Sequence, residues 1–155
     1  MTIVVVMECL AELLRKAVKD YSTNQPSGKL PVNVYIGYPP IPNTPNEKNS
    51  FIYCKVTSFK DEPANQLGTV QVDIGFSIYD DDKIEGSLSL FNLMEHVRQC
   101  LLANPYIKDT DGKAKNHMEF PLTGEIFDDQ PFPQWQGMIH VTYTIAQPMN
   151  VEDIF

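Results

Sequence analysis

Basic side chains are scarce in this sequence, which has 12 Lys and Arg against 20 Asp and Glu and a formal net charge of −8. Arg15 and Lys16 are the only basic residues that are adjacent. A nucleic-acid-binding surface needs clustered cations to contact phosphates, and an anionic membrane surface attracts proteins by the same clusters. We therefore expect neither sequence-specific nucleic acid nor a membrane among the partners of this chain.

Cysteines are also few, and long apolar runs are missing. Cys9, Cys54 and Cys100 are odd in number and widely spaced, which is not the pattern of a disulfide framework or a zinc site. They are predicted to be reduced thiols packed in a cytosolic protein. The apolar run 3–6 lacks the basic flank of a signal peptide, and no stretch approaches the roughly 20 apolar residues of a membrane span.

Motifs that bind phosphate or carry a catalytic serine are absent from the sequence. It contains no Gly-x-Gly-x-x-Gly, no Gly-Lys followed by Ser or Thr, and no Gly-x-Ser-x-Gly. Asp80, Asp81, Asp82 and Glu85 lack the spacing of a calcium loop, so they are interpreted as a solvated acidic turn. We predict no catalytic, cofactor-binding or metal site.

Histidines could still contribute to an enzyme whose groups converge from distant positions. His96, His117 and His140 lack close ligand spacing, which favours polar surface or half-buried roles. Cys100 lies four residues after His96, on the same helical face, but its place beside an apolar stripe favours packing. A small enzyme that uses His96, Cys100 or His140 remains an alternative.

Hydrophobic periodicity predicts two helices and several strands. Apolar residues recur at three- and four-residue steps in residues 3–21 and 86–103, and they alternate in the predicted strands. Turn residues at 22–28, four prolines in 39–45 and a polar stretch after Pro105 predict loops. The predicted strands cover residues 30–37, 51–58, 70–78, 118–126 and 139–145.

This order of elements predicts an α+β fold, in which an antiparallel or mixed sheet packs against two main helices. Strict alternation of strands and helices is missing, which favours antiparallel pairing. We expect residues 1–146 to form a single soluble domain. Residues 147–155 lack periodicity and are predicted to be a mobile C-terminal tail.

Exposed aromatic and acidic segments are the candidate contact surfaces for other proteins. The proline-rich loop, Tyr38–Pro45, combines an aromatic ring with a stiff backbone, which lowers the entropy lost on docking. The segment around Trp135 is either a packed turn, which we favour slightly, or a binding patch. The interface candidates are Tyr38, Pro39, Pro40, Ile41, Asp80, Asp81, Asp82, Phe132, Trp135 and Phe155.

Three passages of the sequence carry a resemblance that spans nearly the whole chain. They are Val70-Gln-Val-Asp-Ile-Gly-Phe-Ser-Ile-Tyr-Asp80, Leu90-Phe-Asn-Leu-Met-Glu-His-Val-Arg98, and Gln130-Pro-Phe-Pro-Gln-Trp-Gln-Gly137 leading into His140-Val-Thr-Tyr-Thr-Ile-Ala146. After an opening amphipathic helix and an early strand pair, this series resembles tail terminator (tail completion) proteins of long-tailed bacteriophages, from phages and prophages of Gram-positive hosts.

The resemblance implies a structural virion protein without catalytic residues. Such proteins form a six-membered ring that caps the tail tube, stops its polymerisation and presents the surface that joins the head connector. The implied partners are further copies of the chain, the tail tube protein and head-connector proteins. The implied location is the virion tail or neck, after assembly in the host cytoplasm. A head-completion or neck subunit and a contractile-injection-system subunit remain alternatives.

Overall fold

The computed structural model of the chain describes residues 2–25, 28–42, 44, 47–63, 67–108 and 114–145. These residues form two α-helices and seven β-strands, which confirms the predicted α+β fold class. The elements are α1 (Ile3–Val18), β1 (Ser22–Gln25), β2 (Gly28–Ile36), β3 (Ser50–Lys60), β4 (Gly68–Tyr79), α2 (Gly86–Ala103), β5 (Tyr106–Lys108), β6 (Ala114–Ile126) and β7 (Gln134–Ile145).

Helix α1 begins with a side-chain cap and buries one stripe. The Thr2 hydroxyl accepts a hydrogen bond from the Val5 N–H at 3.2 Å, which satisfies a donor that has no partner within the helix. Val6, Leu10, Leu14 and Val18 recur at four-residue steps and are buried. The helix ends three residues before the predicted end at residue 21, because the chain turns there and enters β1.

The seven strands form one sheet in the order β1-β2-β3-β4-β7-β6-β5, curled into a half-barrel. Strands β2 and β3 are parallel, and the other neighbouring strands are antiparallel. The expectation of antiparallel pairing is therefore wrong for β2 and β3. A parallel pair needs a crossover of about a dozen residues or more, and the long connection 37–49 supplies that length.

Two short strands lie where the sequence predicts loops. Residues 22–25, interpreted as part of a turn, form β1 and pair with Gly28–Pro31. The polar stretch after Pro105 contains β5, which pairs with the beginning of β6. Neither strand has an apolar alternation that the sequence could reveal, because each has only three or four residues. Both strands pair through their backbones, and Ile107 of β5 is also buried in the core.

One face of the sheet and both helices contribute to a common core. Alternate residues of β4 and β7 are buried on this face, as in Val72, Ile74, Ile139 and Val141. The buried residues of α2 include Leu90, Leu93, Val97 and Leu101. We call this side the covered face and the opposite side of the sheet the open face. The bounds of α2 agree with the sequence prediction.

The predicted C-terminal tail and the expected absence of a membrane span were the remaining expectations about the fold. The predicted tail 147–155, with the interface candidate Phe155, lies outside the described residues. Among the residues that the structure does describe, neither helix has the length and apolar character required to cross a membrane.

Candidate interface on the open face and edges of the sheet

Aromatic rings cluster on the open face near the end of β2. The ring centroids of Tyr35 and Phe51 are 6.0 Å apart in an edge-on arrangement, and those of Phe51 and Tyr53 are 6.4 Å apart. The Tyr53 ring lies directly over Gly75 of β4, where a Cβ atom would collide with the ring. Glycine at this position therefore lets the tyrosine lie flat against the sheet.

The proline-rich loop borders a cavity of about 420 Å³ at this end of the open face. Ile41 is 90% exposed and Tyr38 is 78% exposed, as expected for contact residues. The ammonium of Lys55 lies 4.7 Å from the centre of the Tyr38 ring. Polar side chains of the sheet line the opposite wall, where the Ser77 hydroxyl donates to Gln134 at 3.0 Å. The lining includes the predicted residues Pro39, Pro40 and Ile41.

A histidine between two carboxylates connects three strands on the open face. His140 Nδ1 lies 2.6 Å from Asp73 Oδ1, and His140 Nε2 lies 3.3 Å from Glu125 Oε1. The hydrogen bond with Asp73 is the main reason why the pKa of His140 is raised, and burial of the ring partly opposes this effect. The charged imidazolium can donate to both carboxylates and so joins β4, β7 and β6.

The acidic turn is only partly solvated, so its interpretation as a solvated turn is wrong for Asp80. This residue is 5% exposed. Its Oδ1 accepts from the Asp82 N–H at 3.0 Å, and its Oδ2 accepts from the Ser89 hydroxyl at 2.5 Å. Asp82 is exposed, and hydrogen bonds from the Glu85 and Ile84 N–H groups lower its pKa. Asp80 is occupied in holding the beginning of α2, which leaves Asp81 and Asp82 as the exposed candidates.

Trp135 packs against the beginning of α2. Its Nε1 donates to the Asp80 carbonyl at 2.9 Å, and its ring leaves no space for a side chain at Gly86. Phe132, which is partly exposed, meets Trp135 edge-on with ring centroids 6.2 Å apart. The packed-turn interpretation describes Trp135, whereas Phe132 presents an accessible ring beside it.

The other histidines and Cys100 have structural contacts. His96 Nε2 lies 2.6 Å from the Ala17 carbonyl, which ties α2 to the end of α1. Burial raises the pKa of the Cys100 thiol, and burial raises the pKa of Cys54 to about 12. The His117 ring meets Tyr106 edge-on. In the described residues, no three His, Cys, Asp or Glu side chains are placed to hold a metal ion.

Both edges of the sheet contain lengths that pair with a neighbouring strand on one side only. Strand β2 covers β3 as far as Cys54, so Lys55–Lys60 extends beyond it and pairs with β4 alone. At the other edge β5 covers only the beginning of β6, so Glu119–Ile126 pairs with β7 alone within the described chain. Sequence periodicity predicted these strands but not which of them would be edges.

Two grooves lie on the helix side of the sheet. A groove of about 690 Å³ runs between α1 and β5, and it includes Cys9, Leu13 and Ile36. A smaller groove of about 260 Å³ lies between α2 and β6, with Phe91, Leu122 and Ile126 in its walls. His96, Cys100 and His140 line neither of these grooves, nor the cavity beside the proline-rich loop.

Comparison with known proteins gives a likeness of fold and no family. No protein-family model matches the chain, and no curated protein matches it in sequence. Several solved structures are similar to it, and one of them has a TM-score of 0.51 at 12% identity, over 91% of this chain and 96% of that chain. At this identity the likeness concerns the arrangement of helices and strands alone.

Proposed function

We propose that this chain is a structural subunit, the tail terminator of a long-tailed phage or prophage. The observation that carries the proposal is the order of the described elements. An opening amphipathic helix precedes an early strand pair and a long central strand, and a second helix and a closing β6–β7 hairpin follow. The resemblance implies this order. The packing of two helices on one face of a mixed sheet, with the other face open, also suits a subunit that works by surface contacts.

In this role six copies form a ring that caps the tail tube, stops its polymerisation and presents the head-joining surface. The partners are other copies of the chain, the tail tube protein and the head-connector proteins. The subunit assembles in the cytoplasm of the host bacterium and ends in the virion neck. The long part-covered edges of the sheet and the accessible proline-rich loop are the surfaces that such contacts would use.

Light scattering after size exclusion at high protein concentration tests the proposal first, with negative-stain imaging of the same peak. We expect a closed ring near six times the 17.6 kDa chain mass. Subunits of a ring can stay monomeric until a template is present, because each contact is weak before closure. A monomeric sample is therefore added to purified polymerising tail tube protein, and we expect it to cap the tubes and to shorten them.

The same experiment separates the alternatives by their partner. A neck or head-completion subunit would bind the portal of the head and leave tube length unchanged. A contractile-injection-system subunit would cap only the tubes of that system. Failure to bind or to shorten any tail tube, by monomer or by ring, would overturn the terminator proposal.

A further inference from the structure

The two edges of the sheet carry opposite charges on the same face. Lys55 and Lys60 lie on β3, and we call them the cationic edge; Glu119 and Glu125 lie on β6, and we call them the acidic edge. Lys55 pairs in register with Asp73, and Asp73 with His140, which pairs with Thr123. Side chains alternate along a strand, so Lys55 lies on the open face, and so does Glu125, two positions after Thr123. Lys60 and Glu119 lie across bulges from this row, and their pairing with Thr69 and Thr142 places them on the open face too.

The two edges also lie at the same height in the sheet. One row of partners runs from Lys55 to Thr123, and a second runs from Ser58 through Gln71 and Thr142 to Glu119. The length of β3 beyond Cys54 therefore has no further strand on its outer side, at the level where Glu119–Ile126 of β6 has none on its outer side within the described chain. At the beginning of this length of β3, the Val56 N–H contacts Met7 Sδ of α1 at 3.4 Å. An exposed aromatic accompanies each edge, namely Phe59 at 63% and Phe120 at 70% exposure.

Strand directions allow the two edges to meet antiparallel. Strand β3 is antiparallel to β4, β4 to β7, and β7 to β6, so β3 and β6 run in opposite directions. A rotation about an axis along the strands preserves these directions. It brings β6 of one copy beside β3 of the next in the antiparallel sense. A contact between two different patches of the same chain is heterologous. Its repetition closes a ring where the rotation between copies divides a full turn, and otherwise builds an open filament.

Edge strands of monomeric proteins often carry lysines, prolines and bulges that prevent association, and this chain has all three. Bulges interrupt β3 at Val56–Ser58 and β6 between Glu119 and Thr123, and Pro121 lies within the second. These features oppose a continuous hydrogen-bonded ladder between copies. They leave side-chain contact possible. Each acid lies two positions from the level of a cation, and these nearby opposite charges favour contact over repulsion.

Both cations and one of the acids have partners within the chain. Lys60 Nζ lies 2.9 Å from Glu62 Oε1 at the surface, Lys55 lies over the Tyr38 ring, and Glu125 contacts His140. Surface pairs of this kind contribute about 1 kcal/mol or less and are readily exchanged for a partner on another molecule. The whole chain carries a net charge of −8, so the two cations Lys55 and Lys60, on a length of β3 that pairs with β4 alone, are an exception to the acidic composition.

We propose that the cationic edge on β3 binds the acidic edge on β6 of a second copy of this chain, head to tail. This contact rests on the proposed ring and assigns its subunit interface to particular residues. The charged side chains of this contact lie on the open face. Phe59, which pairs with Val70, borders the contact from the other face of β3, and Phe120 lies in the bulge of β6.

Reciprocal charge reversal tests the contact. The Lys55→Glu/Lys60→Glu and Glu119→Lys/Glu125→Lys variants each have two edges of one sign, so we expect their self-association to be weaker by roughly tenfold or more. An equal mixture restores both kinds of contact, and we expect it to recover the mass of the original ring in light scattering. Lys16→Glu/Lys83→Glu changes the net charge as the first variant does, away from both edges, and should assemble normally.

Circular dichroism melting verifies that each variant is folded. Phe59→Ala is a second variant, which removes a ring that borders the contact and leaves every charge in place, and we expect it to weaken self-association too. If the chain is monomeric alone, the same variants are scored as rings bound to tail tubes.

Unimpaired association of the reversed variants, or a mixture that stays dissociated, would overturn the contact. Charge-insensitive rings that still cap tubes refute this inference alone, whereas charge-dependent rings that never cap a tube refute only the terminator function. A chain that assembles neither alone nor on tubes overturns both.

Discussion

The two faces of strand β4 differ in what they contact. Val72, Ile74 and Phe76 on the covered face are buried among the helices and neighbouring strands. Gln71 and Asp73 on the open face make polar contacts with other side chains of the same sheet. The covered face therefore carries the apolar core, and the open face presents the polar side chains that the proposed contacts would use. Substitutions on the two faces should have different effects on stability.

Phe76→Ala tests the covered face and has the largest expected effect. The Phe76 side chain is 1% exposed, and its removal leaves a cavity among packed residues. We expect a loss of about 3–5 kcal/mol in the free energy of unfolding, measured by urea titration with the fluorescence of Trp135. Gln71→Ala on the open face of the same strand should change it by about 0.5 kcal/mol or less. Equal losses from the two variants would contradict the distinction between the faces.

Asp80→Ala tests a polar residue that behaves as part of the core. Both of its carboxylate oxygens accept hydrogen bonds, and its removal leaves the Asp82 N–H and the Ser89 hydroxyl without that acceptor. We expect a loss of about 1–3 kcal/mol, measured as a lower thermal midpoint. The matched control is Asp129→Ala in an exposed turn, with an expected change of about 0.5 kcal/mol or less. If the two variants melt alike, Asp80 does not anchor the beginning of α2.

Tyr143→Phe should increase stability, because it removes a polar atom from the covered face. The Tyr143 hydroxyl is buried and has no hydrogen-bond partner within the described residues. Burial is also the main reason why the pKa of Tyr143 is raised. We expect a gain of about 1 kcal/mol in the free energy of unfolding, since a buried group without a partner costs about that much or more. A loss of stability would indicate that the hydroxyl is hydrogen-bonded, for example to a buried water.

The covered face was the part of the fold that the sequence could predict. Alternation from Val70 to Ile78 and the helical stripe from Leu90 to Leu101 depend on burial, which follows directly from hydrophobicity. The parallel pairing of β2 with β3 has no such signal, because each strand alternates in the same way whichever direction its neighbour takes. The strand β1 consists of four polar residues, so the sequence has no apolar alternation that could predict its pairing with β2.

The open face was beyond prediction for a different reason. Asp73 precedes His140 by 67 positions, and Glu125 precedes it by 15. Alternation places each of them on the polar side of its own strand, but only the sheet register shows that the three side chains meet. Asp80 was misjudged because its partner Ser89 lies 9 residues later in the sequence, in the first turn of α2. The edge positions of β3 and β6 depend on strand order in the same way.

His140→Gln has the smallest expected effect and tests the polar contacts of the open face by their pH dependence. Asp73 on β4 and Glu125 on β6 face the ring, and Lys55 of β3 pairs in register with Asp73. The pKa of His140 is raised in the folded chain, chiefly by the hydrogen bond with Asp73. A raised pKa stabilises the fold fully below the unfolded value near 6.5, and this stabilisation disappears as the pH rises through the folded value.

We therefore expect the original chain to exceed His140→Gln in stability at pH 5.5, by about 1 kcal/mol or less because the cluster is partly exposed to solvent. The difference should disappear by pH 9, where the imidazole is neutral in both the folded and unfolded states. Urea titrations at the two pH values measure it. Asp73→Asn should remove most of the pH dependence, and the double variant should add little more, because the two residues act as one pair. A difference that is independent of pH would mean that His140 contributes packing and hydrogen bonds but no charge. The open face would then stabilise the fold, as the covered face does, without a contribution from charge.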